Sequence, residues 1–268
     1  MHRDAIVAGH YCHDRLVTGA GERLELGGSA AYASAVLRAA AVDFAVVANV
    51  GPDFLYAERV PPARVVAGAT TTRFVDDYRG RERRQTLNAA SPPIEAEDIR
   101  DSCMVGLAVP IASEVPPPTL LRMRELSRVL IADVQGFVRT WDAAGRVRHS
   151  PPRPELLAAL QRLDYLKVGR DEAPVLDLDR LRRFCTVLLT DGAHGCTILS
   201  TSREQHVSAF PAREVDPTGA GDCFLAGFVV GLLRGWPTER AVRLGNWCGA
   251  RAVEAVGLPV LEGVPVFD

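Results

Sequence analysis

Short apolar runs alternate with segments of helical spacing along most of the chain. The apolar runs lie at residues 5–10, 44–51, 64–68, 103–109, 128–134, 164–169, 186–192 and 195–200. Each run is short enough to form a buried β-strand. Apolar strands with intervening helices predict a mostly parallel sheet that helices cover on both faces.

Three segments have helical spacing. Residues 29–40 are rich in small side chains, and residues 154–163 repeat leucine at helical intervals. After residue 223, apolar side chains recur at spacings of three and four, which predicts a core-facing helix. Its apolar positions are Phe224, Leu225, Phe228, Val229, Leu232 and Leu233. Gly235 favours the end of this helix, because glycine readily adopts the left-handed conformation that commonly follows a helix.

Two segments do not follow the alternation. Residues 15–26 predict a hairpin with a glycine-rich turn. Residues 70–88 predict polar strands that are exposed on both sides and turn at Arg79-Gly80. Such strands are poor candidates for the central sheet. They are consistent either with a small β flap over one edge of the molecule or with a solvent-exposed hairpin that has no role.

The composition is that of an ordinary globular protein. Of the 268 residues, 47% are apolar and 24% are charged, and the formal net charge is −2. This charge gives no support for nucleic acid or an anionic membrane as the main partner. The N-terminal segment is too short and too polar for a signal peptide, and no apolar run reaches the length of a membrane span. We therefore expect a cytoplasmic protein.

Cysteine and lysine usage adds two observations. The six cysteines are scattered and form no CxxC pair, so neither a zinc site nor a disulfide framework is indicated. Among the 31 basic residues, Lys167 is the sole lysine. It lies on a predicted strand, where its ammonium group could contact a phosphate or its stem could extend along apolar surface.

The stretch VDPTGAGDCFLAGF, residues 215–228, combines three small residues with an acid at the start of the predicted helix. The first turn of a helix has unpaired N–H groups and a partial positive charge. Because Gly219, Ala220 and Gly221 leave that turn nearly bare of side chains, an anion can approach it closely. Asp222 is then either a favourable charge at a helix start or a general base beside an anion hole. The preceding Asp-Pro-Thr turn favours the general base, and hence phosphoryl transfer.

Two other phosphate-binding signatures are missing from the sequence. No GxxxxGK[ST] occurs, so a P-loop is not indicated. In GAGDCF, Phe224 stands where the third glycine of GxGxxG belongs, which disfavours a Rossmann dinucleotide site and an NAD-dependent oxidoreductase.

DPTGAGDCFLAGF resembles the C-terminal signature of the ribokinase (PfkB) family of sugar kinases, usually D-T-x-G-A-G-D-x-F. Further segments resemble the family in family order, at residues 9–14, 25–37, 50–56, 165–173, 188–199 and 243–257. The resemblance implies a ribokinase-like three-layer α/β sandwich with a mostly parallel central sheet. It further implies that residues 1–268 form a single domain, with a small β-strand lid contributed by about 15–26 and 70–88. Residues 9–14 would then be the first strand, which ends in a substrate-contacting acid.

The resemblance also implies roles for individual residues. Asp222 would activate the acceptor hydroxyl, and Gly219, Ala220 and Gly221 would form the anion hole. The acceptor would contact Asp14, Gly27 and Gly28. The nucleotide would lie against Thr190, Gly192, Gly195, Gly219 and Gly221, with Asn246 near the base or ribose. Glu172 would help to order Mg²⁺ through water.

Three positions depart from the family pattern. Gly169 replaces the Asn of N-x-x-E, which puts the Mg²⁺ network in question, and Tyr32 and Cys12 replace sugar-binding asparagines. The last two changes argue against ribose as the acceptor.

Within the family, four segments together are most similar to the myo-inositol kinases: GHYCHD, GGSAAYAS, DVQGFVR and K-x-x-x-x-E. Asp133, Gln135 and Arg139 would then lie near the acceptor, where Gln135 and Arg139 can hydrogen-bond vicinal hydroxyl groups. The sequence therefore predicts an ATP- and Mg²⁺-dependent kinase for a small polyol or sugar, myo-inositol above all, acting as a monomer or as a homodimer through the lid. The alternatives are a kinase for ribose, fructose, adenosine or a similar acceptor, and a catalytically silent nucleotide-binding homologue.

Overall fold

A computed structural model describes residues 1–80 and 84–267, so part of the turn in the predicted 70–88 hairpin lies outside the described residues. The strands are β1 His2–Ala8, β2 Cys12–Thr18, β3 Gly21–Gly27, β4 Phe44–Val47, β5 Asn49–Val50, β6 Arg64–Val65, β7 Arg73–Asp77, β8 Arg84–Ala89, β9 Ser102–Ala108, β10 Ser127–Asp133, β11 Arg139–Trp141, β12 Val147–His149, β13 Tyr165–Gly169, β14 Thr186–Thr190, β15 Cys196–Leu199 and β16 Glu204–Val207. The helices are α1 Ser29–Ala39, α2 Pro117–Leu126, α3 Gln135–Val138, α4 Pro154–Leu160, α5 Leu178–Leu181, α6 Ala220–Leu233 and α7 Thr238–Ala252.

The central sheet has eight strands in the order β16-β15-β14-β13-β10-β9-β1-β4. The strands from β4 to β14 pair in parallel, and β15 and β16 are antiparallel to their neighbours. The carboxyl ends of the parallel strands therefore meet at one edge, where α/β sheets bind their ligands.

Helices cover both faces of this sheet. On one face, α1, α6 and α7 form a core cluster with side chains from β1, β9, β10, β14 and β15. On the other face, α2, α4 and α5 pack on the opposite side chains of the same sheet. This arrangement confirms the three-layer sandwich predicted from the sequence, and it follows from strands that are apolar on both faces.

A second sheet has four strands in the order β3-β2-β7-β8 and contains both segments predicted to lie outside the central sheet. The short hairpin of β11 and β12 approaches it through a bridge between Thr86 and Arg146. The prediction that residues 70–88 are exposed on both sides is wrong for β7, whose Phe74 and Asp76 are buried. These side chains are buried because one face of β7 turns towards the central body of the protein.

Two strand boundaries also differ from the sequence prediction. The first strand ends at Ala8, and Asp14 lies within β2 of the second sheet rather than at the end of the first strand. The chain leaves the central sheet at Gly9, where a Cβ atom would overlap the carbonyl oxygen of Val109. The predicted strand at 64–68 is reduced to Arg64–Val65, which pair only with β5. Among the described residues, no helix has the length and apolar character needed to cross a bilayer.

Candidate active site

A cavity of about 520 Å³ opens at the carboxyl edge of the central sheet, between that edge and the second sheet. The second sheet contributes Cys12, Asp14, Phe74 and Gln85 to its wall. The central body contributes Gly28, Ser29, Tyr32, Ile111, Gln135, Arg139, Lys167, Gly169, Glu172, Thr190, Gly192, Gly219, Gly221 and Asp222, among others. The second sheet thus covers the cavity as a lid.

Helix α6 begins at this cavity, and the small residues before Asp222 leave its first turn open to a ligand. Gly219 has a φ of 78°, in the left-handed region that favours glycine, and a Cβ atom there would overlap the ring of Tyr32. Gly219 and Gly221 line the cavity. The N–H of Ala220, however, donates to the carbonyl of Pro217 at 3.3 Å. Of the three residues predicted to form the anion hole, the two glycines therefore border the cavity, while the amide of Ala220 is engaged within the turn.

Asp222 lies on the first turn of α6 and lines the cavity. Among the described residues its buried Oδ1 atom has no hydrogen-bond partner. The hydroxyl of Ser29, which is also buried, lies close enough to Asp222 to lower the pKa of this carboxyl group. Burial raises the pKa of Asp222 to about 6, and the nearby Asp133 carboxylate adds to this effect. Such a carboxyl group is largely ionised at neutral pH and is still basic enough to take a proton from a hydroxyl group.

Lys167 and Asp133 form a buried ion pair beside Asp222. They occupy equivalent positions on the neighbouring parallel strands β13 and β10. The Nζ atom of Lys167 lies 2.9 Å from Oδ2 and 3.2 Å from Oδ1 of Asp133. Burial alone would lower the pKa of Lys167, but Asp133, Glu172 and Asp222 together raise it above the ordinary value. The ammonium group is therefore charged.

Glu172 lies at the cavity wall and is also buried. Its Oε2 atom accepts a hydrogen bond of 2.6 Å from the N–H of Gly169. Burial raises the pKa of Glu172, and Lys167 opposes this effect. A Cβ atom at Gly169 would lie 2.8 Å from an Asp171 oxygen and 3.0 Å from Glu172 Oε2. Gly169, which replaces the asparagine of the family pattern, therefore holds Glu172 through its backbone.

The residues predicted for the acceptor come from both the lid and the central body. Asp14, Gly28, Gln135 and Arg139 line the cavity. Gly27 does not line it but lies against the side chain of Asp14. A Cβ atom at Gly27 would overlap the Asp14 carboxylate, so glycine is what permits that carboxylate its position. Asp14 also accepts a hydrogen bond of 3.1 Å from the thiol of Cys12.

Arg139 connects the acceptor side of the cavity with the lid. Its guanidinium group lies over the ring of Phe74 at 5.8 Å, a cation–π geometry, and Nη1 donates to the carbonyl of Ile111 at 3.4 Å. The acceptor side of the cavity therefore combines an apolar patch of Phe74 and Ile111 with the charged groups of Arg139 and Asp14.

A second, smaller cavity of about 200 Å³ lies on the other side of the α6 N-terminus. Thr190, Gly192, Gly195 and Asn246, all predicted for the nucleotide, line it. The other wall residues are mainly apolar and include Ala193, Ala209, Phe210, Phe224, Ala250 and Val253. The side-chain amide of Asn246 donates to the carbonyls of Val207 and Ser208 at 2.9 and 3.0 Å, so Asn246 holds the 207–208 backbone at the cavity wall.

The two cavities share four wall residues: Thr190, Gly192, Pro217 and Gly221. The larger one also contains Asp222. A ligand in each would therefore meet the other at the first turn of α6. This arrangement suits the transfer of a group from one bound molecule to another.

Sequence reasoning raised a phosphate contact for Lys167 without including it among the predicted site residues, and it did not single out Ser29. For Lys167 the signal was available, because a chain that otherwise uses only arginine keeps one lysine. The other interpretation of Lys167, in which its stem extends along apolar surface and its ammonium group reaches water, is wrong. The side chain is 7% exposed and its ammonium group pairs with Asp133. Ser29 gives no comparable signal, since it is one small residue among several at the start of α1.

Comparison with known proteins extends these observations. The chain matches the profile of the pfkB family of carbohydrate kinases over residues 149–260. It is 41% identical to the inositol 3-kinase of Oryza sativa subsp. japonica, with 97% of this chain and 70% of the rice protein covered. The inositol 3-kinase of Arabidopsis thaliana is 35% identical, with 97% of this chain and 76% of that protein covered.

Among solved structures, a pyrophosphate-dependent kinase of the ribokinase family, complexed with a pyrophosphate analogue and myo-inositol, has a similar fold. The TM-score is 0.79 at 22% identity, with 96% of this chain and 97% of that chain covered. This likeness confirms the predicted ribokinase-like fold.

Proposed function

The chain belongs to the PfkB family of carbohydrate kinases, and from that premise we propose that it transfers the γ-phosphoryl group of ATP to myo-inositol, with the 3-hydroxyl group as acceptor. As a family member it is a phosphotransferase that acts on a hydroxyl group of a small polyol or sugar. The observation that carries the mechanism is the carboxylate of Asp222, which has a raised pKa and lines the larger cavity directly after Gly221, a residue that both cavities share.

The choice of myo-inositol rests on the two inositol 3-kinases and on the chemistry of the larger cavity. A ring that carries only hydroxyl groups presents vicinal donors and acceptors to Asp14, Gln135 and Arg139. Its C–H faces are apolar and suit the patch of Phe74 and Ile111.

The reaction follows from this arrangement. The acceptor hydroxyl gives its proton to Asp222 as its oxygen forms a bond to the γ-phosphorus. The bond between that phosphorus and the bridging oxygen breaks, and ADP leaves with the electron pair. The amides at Gly219 and Gly221 and the partial positive charge of the α6 N-terminus stabilise the negative charge on the transferring group.

The smaller cavity favours ATP over pyrophosphate as the donor. Its apolar wall and its position beyond Gly221 suit a purine base whose phosphates extend to the α6 N-terminus. A pyrophosphate donor would leave that wall uncovered.

Mg²⁺ would be held chiefly by the donor's phosphate oxygens and water, with Glu172 ordering the water. Carboxylate oxygen is the hard ligand that this ion prefers, so Glu172 fits, and the bound ion would neutralise phosphate charge. Within residues 1–80 and 84–267, no three acidic, histidine or cysteine side chains are grouped to hold a metal by themselves.

A panel of acceptors and donors tests the proposal. Product formation is measured with myo-inositol, ribose, fructose and adenosine, each with ATP and with pyrophosphate in the presence of Mg²⁺. We expect turnover with myo-inositol and ATP, phosphorus–carbon couplings in the NMR spectrum that restrict the product to the mirror-image 1- and 3-phosphates, and co-elution with the authentic 3-phosphate in a chiral separation. Turnover with another acceptor but not with myo-inositol would overturn the acceptor, and turnover only with pyrophosphate would overturn the donor.

A further inference from the structure

The sole lysine of the chain lies in the reaction centre. Thirty of the 31 basic residues are arginines, and most of those with ion-pair partners lie at the surface. Lys167 is different in kind: its side chain is 7% exposed, it lines the larger cavity, and its partner Asp133 is fully buried. Burying an ion pair costs free energy that packing with apolar side chains would avoid. Because the Lys167–Asp133 pair carries this cost and Lys167 lines the cavity, the pair points to a role in the reaction that takes place there.

The position of the ammonium group is defined from two sides. Asp133 binds it from behind through both carboxylate oxygens, at 2.9 and 3.2 Å. In front of it lies Gly221, where a Cβ atom would come within 2.9 Å of Nζ. The glycine therefore gives the ammonium group access to the N-terminus of α6. Gly221 is also one of the four residues that line both cavities.

We propose that Lys167 is a catalytic residue whose ammonium group contacts the oxygens of the transferring phosphoryl group, and that Asp133 is the positioning residue that aims it. This proposal rests on the phosphoryl transfer of the proposed function but not on the identity of the acceptor. Lys167 keeps all its protons in the step, because the hydroxyl proton goes to Asp222. It supplies a fixed positive charge where negative charge accumulates.

The size of the group explains why a lysine stands here. An ammonium group is a compact point charge, whereas a guanidinium group is a planar fork of five donors. The space between Asp133 and the Gly221 backbone accepts the compact group, since even one added carbon at Gly221 would come within 2.9 Å of Nζ. Arginine at this position would have to displace either the carboxylate or the first turn of α6.

Kinetics of three variants test the catalytic role. We expect K167M to lower kcat by about 100-fold or more, the range seen when one transition-state donor is lost, with a KM for the acceptor close to that of the wild type. K167R is expected to fail to restore the rate. Because Asp133 acts through Lys167, D133N should lower kcat in the wild-type background and have little further effect in the K167M background.

The double variant D133N/K167M separates catalysis from structure. It removes both charges of the pair, so Asp133 is not left as a buried carboxylate without its ammonium partner, and the thermal midpoint should lie above that of K167M while kcat stays as low as that of K167M. If the double variant regains a turnover within tenfold of the wild type, Lys167 serves only to balance Asp133 and the proposal is wrong. A folded K167M with wild-type kcat overturns it equally.

A spectroscopic measurement tests the contact itself. Because Lys167 is the sole lysine, labelling with [15Nζ]lysine gives one side-chain resonance. We expect this resonance to shift when a non-hydrolysable ATP analogue and Mg²⁺ are added, and to shift much less with adenosine, which lacks the phosphate oxygens that the ammonium group would contact. If calorimetry shows that the analogue does not bind, the proposed donor is wrong and pyrophosphate replaces it in the same titration. A resonance that responds to neither bound phosphate donor overturns the proposed contact.

Discussion

The cluster around Asp222 contains three carboxyl groups, of Asp133, Glu172 and Asp222, and the ammonium group of Lys167. Two of the carboxyl groups have hydrogen-bond partners, since Asp133 accepts from the Lys167 ammonium group and Glu172 accepts from the Gly169 N–H. Oδ1 of Asp222 has no partner among the described residues. A buried polar atom without a partner costs free energy. Such a cost is expected where a group must remain available to a substrate.

Replacement of Asp222 by asparagine tests the proposed base. Asparagine has nearly the same size but cannot accept the hydroxyl proton, so kcat should fall by about 10²–10⁴-fold, the usual contribution of a general base. Steady-state measurement of ADP release gives kcat, and calorimetry gives the ATP affinity, which should change little. A variant that turns over at close to the wild-type rate would remove Asp222 from the mechanism.

The raised pKa of Asp222 predicts the acid side of the pH–rate profile. The base must be ionised to act, so kcat/KM should decrease as the pH falls through about 6, instead of near the ordinary carboxyl value of 3.8. The profile is measured with buffers of constant ionic strength. A limb that remains flat to pH 5 would contradict the assignment.

The raised pKa of Asp222 affects stability in the opposite direction from activity: a higher pH favours the proposed reaction but removes a contribution to the stability of the fold. Because the folded-state pKa of Asp222 lies above its unfolded-state value, the protonated form is favoured by folding, and this contribution is lost as the pH rises through about 6. The thermal midpoint of Asp222→Asn should therefore exceed that of the wild type above pH 6. The two midpoints should converge at lower pH.

Helix α6 is fixed at the site by close packing along its length. At Gly227 a Cβ atom would lie 2.6 Å from the sulfur of Cys248, and at Gly231 it would lie 2.6 Å from the Cα atom of Ala241. Both neighbours lie on α7, so the two helices approach closely. At its N-terminus, Gly219 packs on the ring of Tyr32 from α1. The open first turn is thus positioned by two other helices.

Two glycines that flank helix α6 form a matched pair for mutation. Gly219 and Gly235 have φ values of 78° and 73°, so alanine is strained at both positions, by roughly 1 kcal/mol. At Gly219 the added carbon would overlap Tyr32, whereas at Gly235 it would meet no atom within 4 Å among the described residues. We expect Gly219→Ala to lower kcat at least tenfold by displacing the first turn of α6, and Gly235→Ala to lower the thermal midpoint without changing kcat. Equal effects of the two substitutions on kcat would show that the position of the first turn of α6 does not matter for catalysis.

At the scale of the whole molecule, the two cavities have largely separate walls. The lid and the carboxyl edge of the sheet form the larger cavity, and α6, α7 and the segment around residue 210 form much of the smaller one. The two meet at only four residues. A change in the outer part of one wall should therefore leave binding in the other unaffected.

Ala250 of α7 provides such a change, because it lines the smaller cavity only. Leucine there would occupy space that the base of ATP requires, so Ala250→Leu should raise the KM for ATP at least tenfold. The KM for the acceptor, measured at saturating ATP, should stay within about twofold of the wild-type value. If the KM for ATP is unchanged, the smaller cavity does not hold the base of the donor.

Much of the fold followed from the sequence. Apolar strands and helical spacing predicted the central sheet and its helical layers. The segments at 15–26 and 70–88 were predicted to lie outside that sheet, and the resemblance to the ribokinase family implied that they form a lid. The errors in the predicted strands concern where β1 and β6 end. The pattern of apolar residues along a strand does not show at which residue the chain turns away from its neighbours in the sheet. The burial of Phe74 and Asp76 was missed for a related reason, since the pattern of one strand does not reveal what packs on it.

The sequence by itself determined the chemistry available at the start of α6, because small residues before an acid act locally, within one turn of helix. Only the tertiary structure decided how that turn is used. The pairing of Lys167 with Asp133 joins residues 34 positions apart, and the raised pKa of Asp222 depends on burial and on Asp133. Electrostatic interactions act through space and depend on solvent exclusion, and both are set when distant segments pack together.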